Sequence, residues 1–315
     1  MKENEEEEHN IITEILTTSK KLKICSMTWN MHGLCPTPDQ IKRLLDPHKG
    51  FDIYAIGSEE CLRSIFKSIF YSDKSVWETG LKNYFGPDYE LLSSETLCAI
   101  HLVIFIRTSL IKDVTMVKCN SVKTGAKNLL GNKGAVGINF KISKLSILII
   151  NCHLAALQDR SEQRNIDFLR CINNMTDDYN NIDFIIFMGD LNYRLNNFNI
   201  DMNKIQADPL HFLKNDQLQL EINLKRFNTN GFKEGEIKFK PTFKYWNNTN
   251  NYQYIDTHDK DQIPGWTDRI LYKINENRTN IKNVIQNKYD SMQEIIMSDH
   301  KPVYSYFTIN FSIIQ

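Results

Sequence analysis

An excess of charge of one sign is missing from this chain. Thirty-eight lysines and arginines face 38 aspartates and glutamates over 315 residues, which excludes a dedicated nucleic-acid binder with a pI above about 9. Long apolar runs are missing too: a stretch such as Phe184 to Met188 is far too short to cross a bilayer, and no basic region followed by an apolar run opens the sequence. No C-x-x-C pair occurs, and the seven cysteines, odd in number, read as reduced cytoplasmic thiols rather than as a disulfide framework. Three further absences narrow the chemistry. Five residues separate Gly125 from Gly131, and Asn132 divides Gly131 from Lys133, so there is no P-loop. No cysteine is followed six positions later by arginine, which removes the cysteine-phosphatase loop, and no G-x-S-x-G elbow is present.

What is there reads as a folded protein. Hydrophobic residues make up 41% and charged ones 24%, ordinary usage for a protein with a sizeable core. Residues 1–10 carry five glutamates and one lysine, leaving 37 basic against 33 acidic residues, a charge of +4, on the remainder, which suits an anionic ligand. Residues 1–20 are expected to form an acidic, frayed lead and residues 21–315 a single catalytic domain. Within it, Cys25, Met27 and Trp29 alternate with Ser26, Thr28 and Asn30 as the two faces of a strand. Further strands are expected at 52–57, 97–106, 135–142, 145–151, 183–188, 270–274 and 303–309. Helices are expected near 161–175 and 208–224, and Ile65, Phe66, Ile69 and Phe70 have helical spacing. Short strands mixed with helices predict a layered α/β (α+β) domain.

Several of these strands end in polar clusters: Thr28-Trp29-Asn30, Gly57-Ser58-Glu59-Glu60, Asn151-Cys152-His153 and Gly189-Asp190-Leu191-Asn192. Two more, Trp266-Thr267-Asp268-Arg269 and Ser298-Asp299-His300-Lys301-Pro302, precede strands. Singly, each Asn or Asp is an ordinary turn former, each histidine a hydrogen-bonded core residue, and Arg269 a partner for some carboxylate. Together they form an oxygen-rich ligand set with histidines and basic residues, which favours Mg²⁺ over Zn²⁺ and suits in-line attack of water on a phosphate.

On its motifs the sequence resembles the inositol polyphosphate 5-phosphatases of the endonuclease/exonuclease/phosphatase superfamily. The matching segments are TWNMHG (28–33), GSEEC (57–61), KTGAKNLLGNKGAV (123–136), NCHLAA (151–156) with RN (164–165), GDLNYRL (189–195), EGEIKFKPTFKY (234–245), PGWTDRIL (264–271) and SDHKPV (298–303). The resemblance implies a four-layer α/β/β/α sandwich of two mixed sheets flanked by helices, with the site where the sheets meet at one end. It implies Glu60 as the principal Mg²⁺ ligand, assisted by Asn30. Asp190 would orient and deprotonate the attacking water, and Asn192 would hold that water or a phosphate oxygen. His300, fixed by Asp268, would contact the scissile phosphate, and His153 and Asp299 would complete the phosphate and metal surroundings. Whether Asp190 or His300 takes the proton is left open. Lys133, Lys244, Lys260, Arg269, Asn132 and Tyr193 are the implied substrate contacts. Four positions depart from the usual family pattern: His32 for asparagine, Glu59 for glutamine, Phe243 for tyrosine and Gln262 for arginine.

The implied substrate is an inositol polyphosphate or a phosphoinositide, handled by a monomeric cytoplasmic enzyme with transient peripheral membrane contact and no nucleic-acid partner. A nuclease or sphingomyelinase-like phosphodiesterase on the same fold is the rival reading, disfavoured by the zero net charge and by the KTGAKNLLGNKGAV and PTFKYW segments.

Overall fold

The alternation in the first strand sets the plan of the molecule. The computed structural model describes residues 17–62, 73–175, 179–196, 202–253, 263–278 and 280–314. One six-stranded sheet has the order β11-β12-β1-β2-β4-β3, with β1 at Thr17–Asn30, β2 at Ile53–Glu59, β3 at Tyr89–Leu97, β4 at Ile100–Arg107, β11 at Ile281–Ser291 and β12 at Val303–Ile314. The other has the order β5-β6-β7-β8-β10-β9, with β5 at Val114–Thr124, β6 at Leu130–Ile142, β7 at Leu145–His153, β8 at Phe184–Asp190, β9 at Lys233–Glu234 and β10 at Asp268–Ile274. The β1/β2 and β7/β8 pairs are parallel and their other neighbours antiparallel, so both sheets are mixed.

The two sheets pack face to face through Ile24, Ile53, Ile104 and Phe307 on one side and Ile138, Ile149, Ile186 and Ile270 on the other. Helices cover the outer faces. On the first sheet, α1 (Pro38–Leu45) and α2 (Ser75–Phe85) set Ile41, Leu44, Trp77 and Leu81 against Met27, Trp29, Ile56 and Val103. The start of α1 is fixed by Thr37 Oγ1, which accepts from the Gln40 amide, while Gln40 Oε1 accepts from the Thr37 amide at 2.8 Å. On the second sheet, α4 (Ser161–Met175) buries Phe168, Cys171 and Ile172 on Leu148, Ile150 and Phe187. A short turn of helix, α3 (Gly125–Asn128), joins β5 to β6; α5 (Met202–Ala207) and α6 (Gln217–Asn223) follow β8. This is the expected four-layer α/β/β/α sandwich.

Because strand side chains alternate, the inner face of each strand can be followed toward the site. On β1 it passes from Leu22 and Ile24 to Ser26, Thr28 and Asn30; on β2 from Ile53 and Ala55 to Gly57 and Glu59. On β7 it passes from Ile147 and Ile149 to Asn151 and His153, on β8 from Phe184, Ile186 and Met188 to Asp190, and on β10 from Ile270 to Asp268. The inter-sheet layer thus changes from apolar to polar at one end. Gly57 lets the sheets close there, since a Cβ at that position would fall 2.2 Å from Asn151 Oδ1 of the facing sheet.

The same parity corrects two expectations. Arg269, next to Asp268 on β10, points to the outer face, is fully buried, and pairs with Asp216 at 3.0 Å and Glu234 at 2.5 Å. Tyr193 joins the outer cluster beneath α4 and donates its hydroxyl to Asn165 Oδ1 at 2.7 Å. Neither side chain faces the polar end of the inter-sheet layer. Arg269→Ala is therefore expected to remove about 3–5 kcal/mol of stability, because two buried carboxylates lose their partner. Urea unfolding checks this; full stability with a selective loss of substrate affinity would return Arg269 to the substrate.

The lead is also shorter than expected, since β1 begins at Thr17, paired with Ile314. In place of one helix over 208–224, a 3₁₀ turn at Pro209–Asn215 is followed by α6, and the break falls at Asp216, whose Oδ1 caps the amide of Gln219 at 3.0 Å. The helical spacing at Ile65 to Phe70 lies outside the described residues.

Candidate active site

Three neighbouring strand ends supply the floor. In the pairing register His153 lies opposite Asp190 and Asp190 opposite Asp268, so all three project from adjacent strands on the inner face. Asn30 and Glu59 sit across from them, paired in register on β1 and β2.

Asp190 is the hub. Its Oδ2 accepts from Asn30 Nδ2 at 3.0 Å and lies 3.2 Å from His153 Nε2, and its Oδ1 accepts from the Asn192 amide at 3.0 Å. Burial alone would raise its pKa, but the adjoining His153, the charged His300 and Lys133 hold the carboxyl far below the usual range. Burial, with the Lys133 ammonium that also contacts its Nε2, in turn keeps His153 below an ordinary imidazole.

Asp268 and His300 form a second unit. His300 Nδ1 lies 2.9 Å from Asp268 Oδ2, which also accepts from Thr242 Oγ1 at 2.6 Å and Thr267 Oγ1 at 2.9 Å. Burial would depress the imidazole, yet the carboxylates of Asp268, Asp190 and Asp299 hold its pKa up to about 10. His300 is therefore a cation at neutral pH, with Nδ1 committed to Asp268. Its backbone is pinned as well: its carbonyl accepts from Trp29 Nε1 at 3.1 Å, and its amide donates to Ser298 Oγ, which donates to Asn30 O at 2.6 Å.

The remaining expected residues are distributed around this centre. Glu60, at the end of β2 with φ +55°, lies close enough to His153 to raise its pKa. Asp299 Oδ1 lies 3.2 Å from His32 Nδ1. Asn192 donates through Nδ2 to Leu154 O at 3.2 Å and accepts at Oδ1 from Arg194 Nη2 at 2.8 Å, so one amide N–H is left for a ligand. Lys133 and Lys244 are half-buried. Asn132 is exposed, with its Oδ1 against Gly125, bracing the β5–β6 turn. Lys260 and Gln262 lie outside the described residues. Phe243 packs tilted, at 40° and 4.5 Å between ring centroids, against His300, and the Arg194 guanidinium lies 4.3 Å from the centroid of the phenyl ring, so Phe243 shapes the histidine's wall.

Sequence reading missed Thr242, Thr267 and Arg194. The two threonines stand beside the expected residues in KPTFKY and GWTDRIL, and Arg194 lies two positions after Asn192, a same-face spacing in extended chain. Glu59 is also clarified. Burial, aided by the charges of Asp268 and Asp190, pushes its carboxyl well above the ordinary range.

The donor set fits a hard divalent cation. Glu60, Asp190, Asp268 and Asp299 bring four carboxylates against the cations Lys133, His300 and Arg194, and the donors from Asn30 and the carboxylates are oxygens. Ligand atoms of Asp190, Asp268 and His300 lie within 4.8 Å of one another. Asp268 Oδ2 already takes two hydroxyls and the imidazole, which holds its carboxylate against His300.

This is a carboxylate- and histidine-rich site, with donors that fit a divalent cation, at the mouth of a two-sheet sandwich. Residues 27–306 match the model of endonuclease/exonuclease/phosphatase family 2, and the chain belongs to that family. It is 31% identical over 95% of its length to a polyphosphatidylinositol phosphatase of Saccharomyces cerevisiae, and 31% identical over 92% to the human phosphatidylinositol 4,5-bisphosphate 5-phosphatase A. It spans 28% and 31% of the lengths of those relatives. Among solved structures, the inositol polyphosphate 5-phosphatase domain of SpSynaptojanin, in complex with inositol (1,4)-bisphosphate and a calcium ion, superposes with a TM-score of 0.83 at 27% identity, covering 99% of this chain and 91% of that one. A Cimex nitrophorin superposes with a TM-score of 0.72 at 19% identity, a likeness of fold alone. No helix among the described residues is long and apolar enough to cross a membrane.

Proposed function

We propose that this chain hydrolyses the 5-phosphate of inositol polyphosphates or phosphoinositides with Mg²⁺ as its cation. The observation that carries the reading is the convergence of a charged His300, held by Asp268, with an ionised Asp190 on one polar floor. The named 5-phosphatase relatives support it.

Glu60, with Asn30 and Asp299, would hold the Mg²⁺, which supplies charge stabilisation to the phosphate when bound. Asp190, immobilised by Asn30 and the Asn192 amide, accepts a hydrogen bond from the attacking water and aims it at phosphorus. Because His300 is already protonated, it donates to a phosphate oxygen and cannot take the water's proton; Asp190, held ionised and weakly basic by its cationic neighbours, orients the water and takes the proton only as the P–O bond forms. Asn192 offers its remaining amide N–H, and Lys133 and Lys244 add positive charge for the other phosphates. Lys260 and Gln262 stay with the substrate only on the family resemblance. Leu129 and Leu130, 74% and 48% exposed beside Lys133, support transient contact with an anionic membrane.

Phosphate release from soluble inositol phosphates, phosphoinositide vesicles and nicked duplex DNA, with and without Mg²⁺, tests the function. Release from the inositol compounds in Mg²⁺ alone is expected; cleavage confined to DNA would establish the phosphodiesterase reading instead. Glu60→Gln is expected to raise the Mg²⁺ concentration for half-maximal turnover by about 10-fold or more, and an unchanged Mg²⁺ titration would take Glu60 out of the metal site.

A further inference from the structure

Three cysteines from three separate segments surround one buried lysine beside the site. Cys35 lies in the loop after β1, Cys61 directly follows Glu60, and Cys98 forms the turn between β3 and β4. All three lie close enough to Lys74 to act on its charge, and Lys74, 6% exposed, donates from Nζ to the Cys61 carbonyl at 2.5 Å. The segments carrying Cys35 and Cys61 are stitched side by side. Met31 donates its amide to Glu59 O at 2.8 Å, Gly33 to Glu60 O at 2.9 Å, and Leu62 to Leu34 O at 3.2 Å. That pairing sets Cys35 and Cys61, each next to a residue of the Leu62–Leu34 bond, side by side. The sulfurs are not part of any metal-ligand cluster among the described residues, so the adjacent thiols point to redox chemistry.

We propose that Cys35 and Cys61 form a reversible disulfide in response to hydroperoxides, and that the link slows turnover by displacing the neighbouring Glu60. The effect on turnover rests on the reading of Glu60 as metal ligand; the disulfide itself does not. Cys35 attacks and Cys61 resolves. Cys35 is half-buried, and the neighbouring Cys61 and the Lys74 charge, against partial burial, favour its thiolate, whereas Cys61 itself and the buried Cys25, Cys152 and Cys171 are pushed up, so Cys35 is the thiol that attacks and Cys61, placed beside it, the one that can reach the sulfenic acid. The Cys35 sulfur takes one oxygen from the peroxide as its O–O bond breaks, giving a sulfenic acid, and the leaving oxygen is protonated to alcohol or water. The Cys61 sulfur then attacks the Cys35 sulfur, the S–S bond forms, the S–O bond breaks, and the departing hydroxide leaves as water with the Cys61 proton. Two electrons pass from the two sulfurs to the peroxide, and a dithiol reductant returns them by exchange.

The test uses the full chain carrying Cys119→Ser, which removes the exposed competing thiol. It is treated with hydrogen peroxide, mapped by non-reducing peptide digestion, and assayed with an inositol phosphate and Mg²⁺. Expected are a Cys35–Cys61 cross-linked peptide, a fall in turnover of about 10-fold or more, and recovery with dithiothreitol. Adding Cys35→Ser should abolish both the link and the inactivation, while adding Cys61→Ser should leave a Cys35 sulfenic acid that dimedone traps. Absence of the cross-link, a link without loss of turnover, or inactivation of the Cys35→Ser protein at the parent's rate would each overturn the proposal. If the untreated protein releases no phosphate at all, the functional reading fails, and the peptide map still decides the disulfide.

Discussion

Asp190→Ala is expected to lower kcat by roughly 10² to 10⁴, the range for removing a group that takes a proton in the transition state. The loss should fall on kcat more than on KM, because Asp190 is placed against the water rather than against the substrate's remaining phosphates. Stability should not fall in parallel. The substitution leaves Asn30 Nδ2 without its acceptor, which costs about 1–3 kcal/mol if the site stays dry. It also takes a carboxylate away from Lys133 and the charged His300, a loss that the relief at the buried Glu59, on which Asp190 and Asp268 press, offsets only in part. The measurements are steady-state turnover at saturating Mg²⁺ and a urea unfolding curve on the same preparation. A kcat within tenfold of the parent, or a loss that tracks the unfolded fraction, would make Asp190 a structural residue.

The floor on which Asp190 sits was legible because it follows from alternation. Five apolar residues before Gly189-Asp190 read as a buried strand, and β8 runs through them with Asp190 on the inner face. The Cys25 to Asn30 alternation likewise put Asn30 opposite Trp29, which packs under α1 and α2 while Asn30 reaches across the sheets. The same rule, carried one residue further, separates Arg269 from Asp268. Motif membership had grouped them, but neighbours on a strand face opposite ways, and the basic residue serves the outer layer.

Edge strands were the least legible part of the fold. β3, β5 and β11 lie at the margins, with side chains largely half-buried or exposed, so the hydrophobic pattern that marks the central strands is diluted. Register shifts between Leu91 and Ser93, between Val114 and Met116, and between Gln286 and Lys288 break the period of two as well. The expected strand over 97–106 merged the end of β3 with β4, since Cys98, at φ +53°, turns the chain without the glycine or asparagine that would mark a turn. Side-chain partners from distant segments were beyond sequence reading. Thr242 and Thr267 meet on Asp268 only because the loop before β10 folds over it, where Phe243 and Gly265 exchange backbone hydrogen bonds.

Asp268→Asn is expected to cut turnover at neutral pH by roughly 10³, by taking away the charge that keeps His300 protonated, and the loss should shrink as the pH is lowered. In the parent protein, burial pulls the imidazole down and the facing carboxylates hold it up at about 10, against 6.5 for a free histidine. In the variant, burial is opposed only by Asp190 and Asp299, and the histidine becomes neutral within the working range. The alkaline limb of kcat should therefore stand near pH 10 in the parent and move several units lower in the variant. Stability carries the same signature with a defined sign. A group whose pKa is raised in the folded state adds stability that is fully present below about pH 6.5 and is lost as the pH rises through 10. Across that window this group gives the parent a slope of about −1.4 kcal/mol per pH unit, measured by urea unfolding in chelator so that no cation competes for the site. Asp268→Asn should flatten that slope. A variant that loses activity equally at every pH, with the parent's slope retained, would mean that Asp268 supports the fold around Thr242 and Thr267 and does not set the charge of His300.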